Sequence, residues 1–440
     1  MPMTKDFGML TDSIGADAVI TFDYGSGTPE MAAAWAAYCL SNPQSKTAIG
    51  TDSKGINWKT TGYWASLRAA APSPVDDGLN PLRANHPLPY PISRFEVGNE
   101  CYGSWENDTH ATKHDAALYA EFYAKTVALV KFIVPNAQLG AVVTENEDTD
   151  GSQQETVINP RTRQQHSGWS AVLLSALYGL KVVPDFVIYH YYAEQPGAED
   201  DADLLQSAKS WRPRTDAIRQ MLNDYMHGSA KKTQLICTEN NSVTFNPGKQ
   251  STSIVNGLFL ADTFGAILST EFKGYYWWNL HNGTSAQFNN SSKLYGWRNY
   301  GDYGVLAAGQ AEPLTPNDTP YPTFHALEVI GKFAHPGDFP CIAVSDNALV
   351  SAYAVKSKGG ELSLLVINKS PAKSEEVQIS LFGYQPRPTA ETWSYGVQQD
   401  SAESTGKPGA LVHGLAAGVS QSFGESLAPY SMTVFNLKRS

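Results

Sequence analysis

Two glutamates carry the chemistry this chain could perform. Glu100 closes the run RFEVGNE and Glu239 closes LICTEN, each at the end of an apolar stretch. Two carboxyl groups so placed can cut an acetal, one as nucleophile and one as acid/base, and retaining glycoside cleavage needs them about 5 Å apart. A single glutamate at a strand end is more often a cap or an ion-pair partner, so the inference rests on the two together. Glu145 and Glu147 in VVTENEDTD compete for a role, but their acidic loop reads as solvated. Asn240, beside Glu239, could equally serve an Asx turn. No metal or cofactor is expected. The histidines of HYY and HNG are isolated, no helix carries H-E-x-x-H, and Cys39, Cys101, Cys237 and Cys341 show no metal-ligand spacing, reading as buried free thiols.

The elements that must position these groups recur along the chain. Apolar strands ending at Asp23, Glu100, Thr144, His190, Glu239 and His281 alternate with helical stretches, and after the first interval the steps are about 42 to 49 residues. Strands apolar on both faces, each followed by a helix, read as a parallel sheet covered by helices. The even spacing favours a (β/α) TIM-type barrel over a Rossmann sheet, which would also need G-x-G-x-x-G after a strand. Barrel enzymes carry their chemistry at the C-terminal strand ends, where Glu100 and Glu239 fall three units apart. The Pro-rich loop 71–93 fills the long first interval. From about residue 338 short alternating strands replace the βα pattern and no helical pattern survives, which predicts an antiparallel β-sandwich. The expected division is a barrel over 1–335 and a sandwich over 336–440.

Composition narrows the partners. The 440 residues carry a net charge of −11 and lack a basic footprint, which argues against nucleic acid. No apolar run approaches the length of a membrane span. The start MPMTKDFGML lacks the basic and apolar regions of a signal peptide, so the encoded form is expected to be cytoplasmic. Ten Trp, 22 Tyr and 17 Phe suit a surface that stacks on sugar rings, although large cores also collect aromatics.

FEVGNE resembles the strand-four Asn-Glu signature of the glycosidase clan built on (β/α)8 barrels, and CTEN resembles that clan's strand-seven nucleophile. With DAVITFDYGSGTPEMAAAWAAYC, GYWASLRAA and PDFVIYHYY, the chain is most similar to glycoside hydrolase family 51, the α-L-arabinofuranosidases, over roughly residues 5–283. The resemblance implies Glu100 as acid/base, Glu239 as nucleophile, and Asn99 on the sugar 2-hydroxyl. It places His190 and Tyr192 at the active site, the tyrosine supporting the nucleophile. Asp23 stands where the family usually has Asn, at the sugar site. Trp277, Trp278, Asn279 and His281 end the last strand in an aromatic cluster unlike the usual one, with Trp277 and Trp278 as candidate substrate contacts. The substrate expected is a plant polysaccharide or oligosaccharide with arabinofuranosyl, xylosyl or glucosyl linkages. Only about six βα units can be counted where eight close a barrel, so the expectation is a barrel that lacks the family's first two strands. Exposed strand edges then predict a homo-oligomer, with residues 1–30 or the KGYYWWNLHNG edge near an interface. A non-enzymatic alternative is a degenerate carbohydrate-binding protein.

Overall fold

The computed structural model describes residues 4–311 and 314–440. The chain divides into two compact units, Met1–Tyr189 with Asp216–Ile236, and His190–Thr215 with Cys237–Ser440. Six strands form one curled sheet in sequential order: β1 (Ala18–Phe22), β2 (Ile92–Val97), β3 (Gln138–Val142), β4 (Phe186–Glu194), β5 (Gln234–Val243) and β6 (Phe272–Tyr275). The pairs β1–β2, β2–β3 and β3–β4 are parallel, in a register that sets Phe22 beside Val97, Val97 beside Ala141, and Val142 beside Ile188.

In the first unit, burial on both faces explains the continuous apolar strands: Phe22, Phe95, Val97, Leu139, Ala141 and Val187 are wholly buried. Phe22 and Phe95 stack with ring centroids 4.7 Å apart. Helix α1 (Thr4–Ile14) precedes the sheet. Helices α2 (Pro29–Leu40), α3 (Thr61–Ala69), α4 (Ala116–Ile133), α5 (Trp169–Gly179) and, after β4, α6 (Trp211–Tyr225) form the connections. Each begins where its sequence directs. Thr28 accepts from the Met31 N–H just before Pro29, and Asp115 accepts from the N–H groups of Ala117 and Leu118. Helix α4 is fastened to the sheet by two buried hydroxyls, Tyr119 donating to the Val97 carbonyl at 2.7 Å and Tyr123 to that of Leu139 at 2.8 Å. The Pro-rich stretch is loop apart from one 3-10 turn at Asn80–Leu82. Buried Arg68 holds it, donating to the carbonyls of His86 and Pro87 and to those of Tyr38 and Ser41.

In the second unit, α7 (Ile254–Leu268) and α8 (Pro322–Phe333) pack together and against one face of a six-stranded antiparallel sheet. That sheet runs β7 (Phe339–Cys341), β8 (Val350–Lys356), β9 (Leu362–Asn368), β14 (Ser431–Leu437), β11 (Thr389–Gly396) and β12 (Val412–Ala417). Its other face shares a core with the two-stranded ribbon β10 (Glu375–Ser380) and β13 (Ser422–Leu427), through Leu364, Val366 and Phe435 on one side and Phe423, Leu427 and Ile379 on the other.

Three expectations need correction. A helix, α9 (Val397–Glu403), interrupts the C-terminal strands; it is short, polar and reads poorly as a helix, and Gln399 stabilises its start by accepting from the Gly396 N–H. Strand β6 stops at Tyr275 instead of running to His281, because the Trp278 N–H and carbonyl turn to side-by-side asparagines on β5. Cys341 is exposed, whereas Cys39, Cys101 and Cys237 are buried thiols. No helix among the described residues is long and apolar enough to cross a membrane.

Candidate active site

Glu100 leaves β2 through a corner that only particular residues permit. Gly98 has φ +81, and a Cβ there would stand 2.2 Å from the Cys101 sulfur. Glu100 itself is held at φ 37, a conformation costly for a residue with a side chain and often found at functional sites. The corner swings the carboxylate onto two aromatic donors. Trp105 Nε1 donates to its Oε2 at 2.5 Å and the Tyr102 hydroxyl to its Oε1 at 3.3 Å. Tyr102 and Trp105 meet edge to face at 6.0 Å, and Trp105 leaves 65% of its surface exposed. Asn99 Nδ2 donates to Glu106 Oε1 at 2.9 Å. Beside it lies a cavity of about 290 Å³ lined by Asp23, Trp35, Asn99, Glu106, Asp108 and His114. Asp23 accepts from Ser26 through both backbone and hydroxyl. The Trp35 indole N–H is buried without a hydrogen-bond partner among the described residues.

In the second unit, Glu239 stands on β5 with its side chain 13% exposed. The Tyr192 hydroxyl donates to its Oε2 at 2.7 Å, and His190 Nδ1 lies 3.5 Å from the same oxygen. The other ring nitrogen of His190 meets the Thr238 hydroxyl at 3.0 Å, which fixes the imidazole plane. Alternation along β4 places His190 and Tyr192 on one face, toward Glu239 and its neighbour, and Tyr191 on the other. Tyr303 edges onto Tyr192 at 6.4 Å and donates to the Val243 carbonyl. Burial, then the nearby Glu239 charge, pushes its phenol well above the ordinary range. Asn240 is fully buried as a clamp: Nδ2 donates to the Tyr191 carbonyl, and Oδ1 accepts from the Tyr275 hydroxyl at 2.9 Å.

Within each unit the sequence candidates group as follows. Glu100 and Asn99 share the β2 corner, and Asn99 and Asp23 share one cavity. His190, Tyr192 and Glu239 form one hydrogen-bonded group. Trp277 packs into the helix–sheet core, 5.9 Å from Phe259, while Trp278 is 41% exposed beyond the strand end. Asn279 follows it across a cis peptide, and His281 pairs with Asp318 at 2.9 Å. The loop expected to be solvated around Glu145 and Glu147 is instead tied down. Tyr189 donates to Glu145 at 2.5 Å, and Glu147 accepts from Tyr225 and Asn159 at 2.5 and 2.6 Å. Tyr303, Trp105 and Glu106 were missed. For Trp105 the signal was present, five residues after Glu100 in GNECYGSW; for Tyr303 none was.

No family model matches the sequence, and no curated protein does. Solved structures do. The α-L-arabinofuranosidase of Thermotoga maritima, in its arabinose complex, is similar at a TM-score of 0.66 and 16% identity, over 98% of this chain and 78% of that one. The thermostable GH51 α-L-arabinofuranosidase of Thermotoga petrophila gives 0.66 at 17% identity, over 99% and 78%. A xyloglucanase of Paenibacillus polymyxa from glycoside hydrolase family 44 gives 0.61 at 13%, over 99% and 83%. At these identities what is shared is the fold, which in this chain is a curled parallel half-barrel sheet followed by antiparallel sheets.

Proposed function

We propose that this chain is a retaining glycoside hydrolase of the family-51 kind, acting on arabinofuranosyl, xylosyl or glucosyl linkages of plant cell-wall glycans. Glu239 attacks the anomeric carbon to form a glycosyl-enzyme. Glu100 protonates the leaving oxygen and then takes a proton from the attacking water, so each turnover returns both carboxyls to their starting states. Asn99 and Asp23 contact the sugar hydroxyls. The observation that carries this reading is the Tyr192–Glu239 hydrogen bond within β5, because a carboxylate held by a phenol and a neighbouring imidazole is oriented as a nucleophile must be. Glu100, gripped by two aromatic donors at a strained corner, supports the second role. The test is turnover of aryl glycosides and release of sugars from arabinoxylan, xylan and glucan, with the product anomer read by NMR. Glu239→Gln should abolish turnover while the protein stays folded; full activity in that variant would sink the assignment.

The six-stranded sheet favours one alternative reading, a carbohydrate-binding protein with little turnover. Binding of the same glycans without product would establish it. The outer edges of β1 and β6, which pair with no further strand among the described residues, also support assembly as a homo-oligomer, which light scattering on dilute protein checks.

A further inference from the structure

Three loops of the second unit come together after the ends of β4, β5 and β6, and they bring acidic and amide oxygens with them. Glu194 closes β4, and Glu199, Asp200 and Asp201 follow it. Thr244, just past β5, donates its N–H to the Glu194 carbonyl, and its hydroxyl to Gln195. The β5 loop meets the β6 loop backbone to backbone. Lys249 N–H donates to the Asn289 carbonyl at 3.0 Å, and a Cβ on Gly248 would stand 2.2 Å from that oxygen. Asn289 Nδ2 in turn donates to Glu199 Oε2 at 2.5 Å, and Tyr295 N–H to Asp201 Oδ2 at 2.6 Å.

Within this junction the donors run out before the acceptors do. Asp201 is satisfied, by Tyr295 on one oxygen and by Gln250 Nε2 on the other at 3.1 Å, with Lys249 adding positive charge nearby. Glu194 Oε1 accepts from the Asp200 N–H at 2.8 Å. Its Oε2, Glu199 Oε1, Gln250 Oε1 and Asn290 Oδ1 are all buried with no hydrogen-bond partner among the described residues. Gln250 is 1% exposed, and its carboxamide lies among these carboxylates, bonded to Asp201 and within reach of Glu194. Stranded buried oxygens of this kind cost about 1–3 kcal/mol each, more when charged. Burial, reinforced by Glu199 and Asp201, pushes the Glu194 carboxyl up to about 8.

We propose that these oxygens form a site for a hard divalent cation of the calcium type. Two carboxylates and two amide carbonyls are the ligands calcium takes, with water completing its six to eight. The absence of imidazole and thiolate from the set disfavours zinc, and three irregular loops suit calcium's loose geometry better than magnesium's strict octahedron. The ion would pin the β4, β5 and β6 loops together beyond the strand that carries Glu239.

Calorimetric titration of the full chain, stripped with EDTA and titrated with calcium chloride, tests this by binding and so does not depend on the catalytic assignment. The expected result is one calcium per chain and a Tm rise of about 1.5–3 °C at calcium tenfold above Kd. Glu199→Gln should weaken binding at least tenfold, and Asn290→Asp, which adds charge at the rim, should tighten it. No heat and no Tm change with calcium or magnesium in the folded wild-type protein would overturn the proposal. So would wild-type calcium affinity in both variants.

Discussion

Replacing Tyr192 by Phe removes one oxygen and leaves the ring that faces Tyr303 in place. The lost contact is the 2.7 Å hydrogen bond to Glu239 Oε2. A bond to a charged acceptor is worth about 1.5–3 kcal/mol. If that energy orients the nucleophile in the transition state, kcat/KM should fall roughly ten- to 150-fold, at tenfold per 1.36 kcal/mol. His190 Nδ1, 3.5 Å from the same oxygen, can take over part of the role, so the lower half of that range is expected. Steady-state kinetics with an aryl glycoside, alongside a melting curve, measure the effect. A fall in kcat with KM unchanged identifies an interaction used in the chemical step, whereas a rise in KM alone would point to substrate binding. A kcat/KM within twofold of wild type in a folded variant would refute the reasoning.

Glu100→Gln should cost roughly 10²–10⁴-fold on substrates with poor leaving groups and much less on dinitrophenyl glycosides, which need no proton to depart; equal losses across leaving groups would remove Glu100 from the acid role. Arg298→Met should destabilise the second unit by about 3–5 kcal/mol, because it strands buried Asp400 and Glu403, now 2.8 and 2.5 Å from the guanidinium. Adding Asp400→Asn should recover part of that loss in denaturant unfolding, and no recovery would mean the pair is not the cause. His325 is buried, which alone would lower its pKa, but Glu403 and Glu328 outweigh this and hold it above its ordinary value. Its stabilising charge is therefore fully present below the unfolded value of about 6.5 and lost as pH rises through the folded one. His325→Gln should depress Tm more at pH 5.5 than at pH 9, and an equal deficit at both would contradict the assignment.

How much of this was legible in the residues follows from the range of each interaction. Strands β4 and β5 run on past the polar His190 and Glu239, to Glu194 and Val243, but the exits of β1 and β3 were readable because apolar strands give way within two residues to Asp23 and Thr144. The end of β6 was not. Trp277 and Trp278 look like strand, and it is Asn240 and Asn241, more than thirty residues earlier, that bend the chain there. Glu147 read as solvated because its acidic neighbours are local, while the groups that claim it, Asn159 and Tyr225, are distant.

By itself the sequence determined the alternation of strand and helix, the change to antiparallel strands near residue 338, and the two glutamates that follow apolar runs. These are properties of short windows, set by apolar period, turn residues and β-branching. Only the tertiary structure decided which donors each carboxylate receives. Trp105 turns back onto Glu100 because Gly98 and Glu100 both take positive φ. Tyr192 reaches Glu239, and one oxygen each of Glu194, Glu199 and Gln250 is left without a donor among the described residues, because segments about fifty residues apart or more fold onto one another. Hydrogen bonds of that kind follow from the three-dimensional path of the backbone, which no local pattern of residue types encodes.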